Sequence, residues 1–274
     1  MTTSATGARA PRSSAEKGVA IVFALVALVS TSAGVTMLSR PEDTDSNFAW
    51  ALGPPPLASL VAGLYIGAGV VFGWGATLRW PGQRGVCVAV LALTVPTFIA
   101  TLVHEEVFDF SRVFAVFWLF LFVAAPVAAG AYLFALRDEG PPGGGAPLPD
   151  GLRAGLTALA LLYLIAAVAL FVDPGGVGDV MPFALSDMGG RFIGAFALAL
   201  GVLAVWPALR GSAEAGLPLL GLVAFPAGAL LAAVRHLDDL EPAARATGWI
   251  VLLIALGAAG LVALLWERRS AAGA

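Results

Sequence analysis

The sequence predicts an all-α integral membrane protein, with eight transmembrane helices arranged as two tandem parallel four-helix repeats. Three observations carry this. Of 274 residues, 59% are hydrophobic and only 12% are charged. That is about half the charged share of a soluble domain, too little polar surface to cover a water-soluble globule. The apolar residues gather into eight runs, each near the roughly 20 residues that cross a bilayer as helix. The second half of the chain also echoes the first at an offset near 131 residues.

The first run, residues 18–38, follows Arg9, Arg12 and Lys17 and passes through Ser30-Thr31-Ser32-Ala33. Basic residues before an apolar run and small residues near its end are also the pattern of a secretory leader. The length of the run and its counterpart in the second half favour a retained span. Runs 57–78, 85–103 and 113–136 complete a first membrane unit, 18–136. Runs 156–172, 192–209, 217–234 and 248–266 form a second, 156–266. None alternates apolar with polar residues, as barrel strands would. Pro96, Pro126 and Pro226 lie inside runs. Each removes a backbone hydrogen bond, which neighbouring helices compensate. Outside the units are a tail, 1–17, a linker, 137–155, and a second tail, 267–274. The linker contains Gly140-Pro141-Pro142-Gly143-Gly144-Gly145, a composition that does not form helix. Between the first and second spans of each unit is a long loop with a short apolar patch, 48–52 and 180–185. These patches are too short to span and are expected at the interface or in the bundle mouth.

Orientation follows from lysine and arginine. With the N-terminus inside, ten basic residues face the cytoplasm and five face outward. Both termini and the linker are therefore expected to be cytoplasmic, in the plasma membrane.

The repeat is read from matches in a common order. Trp50-Ala51-Leu52 matches Phe183-Ala184-Leu185, Gly63 matches Gly194 and Trp74 matches Trp206. Leu78-Arg79 matches Leu209-Arg210, His104 lies opposite His236, and Trp118 lies opposite Trp249. Four spans per unit is an even number, so both units insert the same way up. Such a parallel repeat has a pseudo-twofold axis along the membrane normal.

No Asp, Glu, Lys, Arg or His lies within these eight runs. Proton relays and ion-coupled pumps place ionisable groups at membrane depth, so this pattern disfavours them. Thr94, Thr97 and Thr101 share one face of the third run, and Ser32 and Thr36 are one turn apart on the first. These five are candidates for lining a polar cavity, although such hydroxyls more often bond to helix carbonyls or to a neighbouring helix. Runs six to eight contain no Ser, Thr, Asn or Gln, which weighs against a polar tunnel through the second unit. Gly63 and Gly67, and again Gly69 and Gly73, form GxxxG pairs that allow close helix approach. Gly67-Ala68-Gly69 has no strand-to-helix turn around it, and no nucleotide site is read there.

The remaining chemistry is at the outer face. His104, Glu105, Glu106 and Asp109 follow the third run, and His236, Asp238, Asp239 and Glu241 follow the seventh. Imidazole and carboxylate together bind divalent metals. His104, Glu105, Asp109, His236, Asp238 and Asp239 are thus metal candidates, without HExxH or CxxC spacing. No serine lies in a recognisable nucleophile elbow, so no catalytic triad is read. Cys87 is the single cysteine and forms no intrachain disulfide. A net charge of -3 implies no nucleic-acid partner. The expected partner is the bilayer, with a homo-oligomer or membrane subunit as a further one, and no cofactor is expected. The leading expectation is a non-catalytic protein, structural or accessory. The alternatives are a transporter for a small or apolar solute between the repeats and an outward-facing metal-dependent membrane enzyme.

Overall fold

A computed structural model describes residues 11–139 and 148–272. It contains eight helices long and apolar enough to cross a membrane. They are α1 (Ser14–Ser39), α2 (Pro55–Thr77), α3 (Trp80–Val103), α4 (Val113–Ala135), α5 (Asp150–Val172), α6 (Asp187–Arg210), α7 (Gly216–Arg235) and α8 (Ala243–Ala272). Among the described residues there is no strand. The chain is an all-α, multi-pass membrane protein.

Local sequence explains where the helices start and stop. Ser13 caps α1 and accepts from the Glu16 amide, while the Glu16 carboxylate accepts from the Ser13 amide. This reciprocal box satisfies two otherwise orphaned donors. Proline stands in the first turn of α2 and of α3, where a missing N–H costs nothing. Ser186 caps α6 by accepting from the Gly189 amide, and α6 ends at Gly211, whose φ of 78° is open to glycine. Pro96, Pro126 and Pro226 lie inside continuous helices, as does Pro207 near the end of α6.

Several helices extend beyond the apolar runs. Helix α1 begins within the expected tail 1–17, α5 begins at Asp150 within the expected linker 137–155, and α8 continues to Ala272 in the expected tail 267–274. Capping, not hydrophobicity, sets a helix end. The expected glycine-proline stretch, 140–145, lies outside the described residues. The consequence that matters is in α3, whose start at Trp80 places Gln83 and Arg84 in its first two turns.

Four helices form the centre. In their most apolar windows α2 and α6 are 67% buried, whereas α1, α4, α5 and α8 are each 22% buried. Helix α2 packs on α7, and α3 packs on α6; α1 lies against α2, α4 against α3, α5 against α6 and α8 against α7. The outer helices expose large apolar side chains, including Ile21, Leu28, Phe120, Ile165, Val251 and Val262. Such a surface is stable in lipid and not in water.

The tightest crossing is that of α2 and α7. Gly63 and Gly228 meet backbone to backbone, so a Cβ on either would collide with the carbonyl of the other. A Cβ on Gly67 would lie 2.9 Å from the Ala224 carbonyl oxygen. The GxxxG pair seen in the sequence therefore seats α2 on a small-residue face of α7. Arg12, just before α1, and Arg268, in the last turns of α8, both lie beside the C-terminal end of α2. Arg12 donates to the carbonyls of Thr77 at 2.7 Å and Leu78 at 3.0 Å, and the Arg268 guanidinium lies 6.0 Å from the Trp74 ring centre. Following the orientation expected from the sequence, this end is called the inner end below, and the opposite end the outer mouth.

Candidate functional site

At the outer mouth each histidine terminates a central helix. His236 follows α7 and is buried. Its Nδ1 lies 2.7 Å from Asp239 Oδ2, and its Nε2 lies 2.7 Å from the Ser59 hydroxyl on α2. His104 follows α3, with Nδ1 3.3 Å from Glu106 Oε1 and Nε2 against the Arg191 guanidinium of α6. A guanidinium only donates, so His104 Nε2 accepts. A carboxylate only accepts, so both histidines donate from Nδ1. His236 Nε2 then accepts from the Ser59 hydroxyl. Each imidazole lone pair that would bind a metal is already occupied by a protein donor.

The metal candidates fall into separate groups. His104 and His236 share no partner, and each is tied to a different central helix. Asp109 closes its own loop, accepting from the Ser111 amide at 3.0 Å and hydroxyl at 2.6 Å. Those bonds hold its carboxyl below the usual range. Glu106 is likewise held low, by its own backbone N–H and by His104. Glu105 and Asp238 are exposed. Among the described residues, no three His, Cys, Asp or Glu side chains converge as a metal site requires.

The hydroxyl candidates also lie apart. Thr94, Thr97 and Thr101 are buried on α3 but turn back to the carbonyls of Val90, Leu93 and Thr97, at 2.7, 2.7 and 2.9 Å. Thr101 also accepts from the Trp118 indole at 3.1 Å. Ser32 and Thr36 are exposed on α1, on the lipid side.

The apolar patch 48–52 tucks into the mouth, with Phe48, Trp50 and Leu52 buried. Trp50 stands 4.8 Å from Trp118, 5.2 Å from Phe108 and 5.7 Å from Phe192, ring centre to ring centre. This cluster closes the mouth over α3, α4 and α6. The patch 180–185 behaves differently: Pro182 and Phe183 are buried, while Val180 and Ala184 are exposed. Beside it a cleft of about 540 Å³ opens outward between the proline-rich start of α2 and the loop carrying Asp238, Asp239 and Glu241.

Several polar residues in the structure were not singled out from the sequence. Ser59 and Arg191, the histidine partners, are two. At the inner end Glu214 is 1% exposed and accepts from the Trp206 indole at 3.0 Å, from Arg210 at 3.3 Å and from Arg84 at 3.5 Å. Arg84 also donates to the carbonyls of Leu136, Arg137 and Glu139 at 3.2, 3.3 and 2.8 Å. Trp80 donates to the same Leu136 carbonyl at 2.9 Å, and Gln83 donates to the Gly75 carbonyl at 2.8 Å. The available signal was the pair Gln83-Arg84 immediately before an apolar run, where a helix start is commonly polar. Comparison of the chain with known protein families, characterised proteins and solved structures finds no match.

Proposed function

We propose that the chain is a non-catalytic protein of the plasma membrane, structural or accessory in role, built as two tandem parallel four-helix repeats with both termini cytoplasmic. The observation that carries the functional reading is the contact of Gly63 with Gly228. The centre of the bundle is filled by backbone against backbone, leaving no room there for a solute. The hydroxyls that would line a polar path are turned to their own helix carbonyls.

The repeat is supported by the packing. Exchanging the halves carries the α1–α2 pair onto α5–α6, the α3–α4 pair onto α7–α8, and the α2–α7 pair onto α6–α3. Details follow the same exchange. A Cβ on Gly69 would meet the Ala27 carbonyl oxygen at 3.4 Å, and one on Gly201 would meet that of Ala160 at 3.4 Å. Short 3-10 turns, Glu105–Val107 and Leu237–Asp239, follow the two histidines. Ser59 and Arg191, which hold the histidines, occupy equivalent places on α2 and α6.

Proteoliposomes test the functional reading. Light scattering after an osmotic step with glycerol or urea is expected to match empty liposomes. Faster swelling with the protein present would replace this reading with the transporter. For orientation, single cysteines at Ser46 and Asp138 in a Cys87→Ala background are expected to react oppositely with a membrane-impermeant thiol reagent in intact cells. Labelling of Asp138→Cys from outside would invert the topology.

A further inference from the structure

Residues 41–53, between α1 and α2, are held in the outer mouth by packing and not by hydrogen bonds. Phe48, Ala49, Trp50 and Leu52 are 7%, 4%, 3% and 0% exposed. The Phe48 ring stands 5.4 Å from that of Trp118 and 6.1 Å from that of Tyr65, and Trp50 packs on Phe108, Trp118 and Phe192. The hydrogen bonds of the segment stay within it or at its first hinge. The Asp43 amide donates to the Arg40 carbonyl at 3.2 Å, and the Ser46 hydroxyl to the Asp43 carbonyl at 2.9 Å. The Phe48 amide donates to the Thr44 carbonyl at 3.1 Å, and the Leu52 amide to the Thr44 hydroxyl at 3.2 Å. Among the described residues no hydrogen bond joins the segment to α3, α4 or α6. The corresponding loop of the second half is pinned, because the Glu241 amide donates to the Pro182 carbonyl at 3.0 Å.

Two polar atoms are buried in this segment without a partner, Trp50 Nε1 and Asn47 Oδ1, of three such side-chain atoms among the described residues. A buried donor or acceptor without a partner has lost its hydration and gained nothing in exchange. Lifting the segment into water restores both, while it exposes the rings. The two effects oppose, so the closed state is favoured by less than its ring contacts alone would give, and local opening costs less than opening the bundle. The ends suit rotation about two points. Arg40, where α1 stops, has φ −138° and ψ 68°, outside the helical region. Gly53 has φ 91°, which glycine adopts freely. Pro54, Pro55 and Pro56 follow it with φ fixed by their rings, which confines the change at that end to Gly53.

We infer that residues 41–53 form a lid that lifts as one body between hinges at Arg40 and Gly53, uncovering the aromatic floor made by Tyr65, Phe108, Trp118 and Phe192. The local hydrogen bonds travel with the lid, so none has to break when it moves. Only ring contacts are lost, and the Trp50 indole and Asn47 amide gain water. The crossing of Gly63 and Gly228 does not involve the lid and stays shut when it lifts. Opening therefore gives a pocket and not a passage, which goes beyond the functional reading without altering it.

Thiol labelling and hydrogen exchange of the protein in maltoside detergent test this. Ala49→Cys in a Cys87→Ala background reports on the lid. Native Cys87, 2% exposed on α3, reports on opening of the bundle. A maleimide is expected to label the lid cysteine roughly tenfold faster than Cys87, or more. Gly53→Ala leaves the packing intact, since its Cβ would lie 3.9 Å from the nearest atom, on Leu57, but it strains the closed hinge. It is expected to speed labelling of the lid about fivefold and to leave Cys87 unchanged. Exchange followed by mass spectrometry needs no added cysteine. There Gly53→Ala is expected to speed the Phe48 and Leu52 amides by the same factor, because one opening frees both. Equal labelling of Ala49→Cys and Cys87, or a rise in both with Gly53→Ala, would show that the segment opens only with the bundle. Unequal factors at Phe48 and Leu52 would show that it frays residue by residue. Each of these results would overturn the inference.

Discussion

Gly63→Ala is expected to lower stability by about 3 kcal/mol, the upper end for an overpacked core, and Gly228→Ala by a similar amount. The added methyl in either case collides with a peptide carbonyl, not with the end of a flexible side chain. No rotamer change relieves that contact. Helices α2 and α7 must separate, and the neighbouring Gly67–Ala224 contact opens with them. Without a hydrophobic drive between helices in lipid, such close packing is what holds them together. Gly130→Ala is the control. It lies inside α4, where an added Cβ meets nothing within 4 Å. There alanine should be neutral or stabilising by up to about 1 kcal/mol, from helix propensity alone. Thermal unfolding in detergent, followed by circular dichroism, should separate the two substitutions by roughly 10 °C. Equal melting of both variants would show that α2 and α7 do not cross at Gly63, and with that the argument for a closed centre falls.

The same crossing shows what could be read in the sequence. GxxxG was visible, and so was its meaning, close approach. Which helix approaches was not visible, because helices equally apolar all round present no stripe to distinguish a partner. The two pairs on α2 divide their work: Gly63 and Gly67 receive α7, while Gly69 and Gly73 face Thr31 and Ala27 of α1. Span number was legible because bilayer thickness imposes a length on every run. Helix ends were less so, because caps such as Ser13 and Ser186 lie in polar sequence that hydropathy discards. The histidines were legible as residues at the ends of spans. Their partners were not, since Ser59 and Arg191 lie 177 and 87 residues away in the chain. The threonine stripe was read correctly as one face of a helix, but its bonding was decided locally, turn by turn, by the carbonyl four residues back.

Glu214→Ala is expected to cost about 3 to 5 kcal/mol, the range for breaking a buried ion pair from one side. Glu214 has almost no contact with solvent and stands at the centre of a network that ties the inner ends of α3 and α6 together. It accepts from the Trp206 indole at 3.0 Å and neutralises Arg84 at 3.5 Å. Without it Arg84, 8% exposed, keeps its three carbonyl bonds but loses its counter-charge. Those carbonyls soften the loss, which places the expected cost nearer 3 than 5 kcal/mol. Arg210 is 45% exposed in its side chain and turns to water instead. Glu214→Gln should cost less, because its amide oxygen still accepts from the Trp206 indole. The double variant Arg84→Met/Glu214→Met should recover most of the loss, since replacing both members of a buried pair removes the stranded charge. The pair is shielded from solvent, so the effect should change little between low and high salt. Melting curves of the unaltered protein, Arg84→Met, Glu214→Met and the double variant measure the coupling directly. Additive losses in the double variant would show that Arg84 and Glu214 act independently, each serving only its own carbonyl or indole partner.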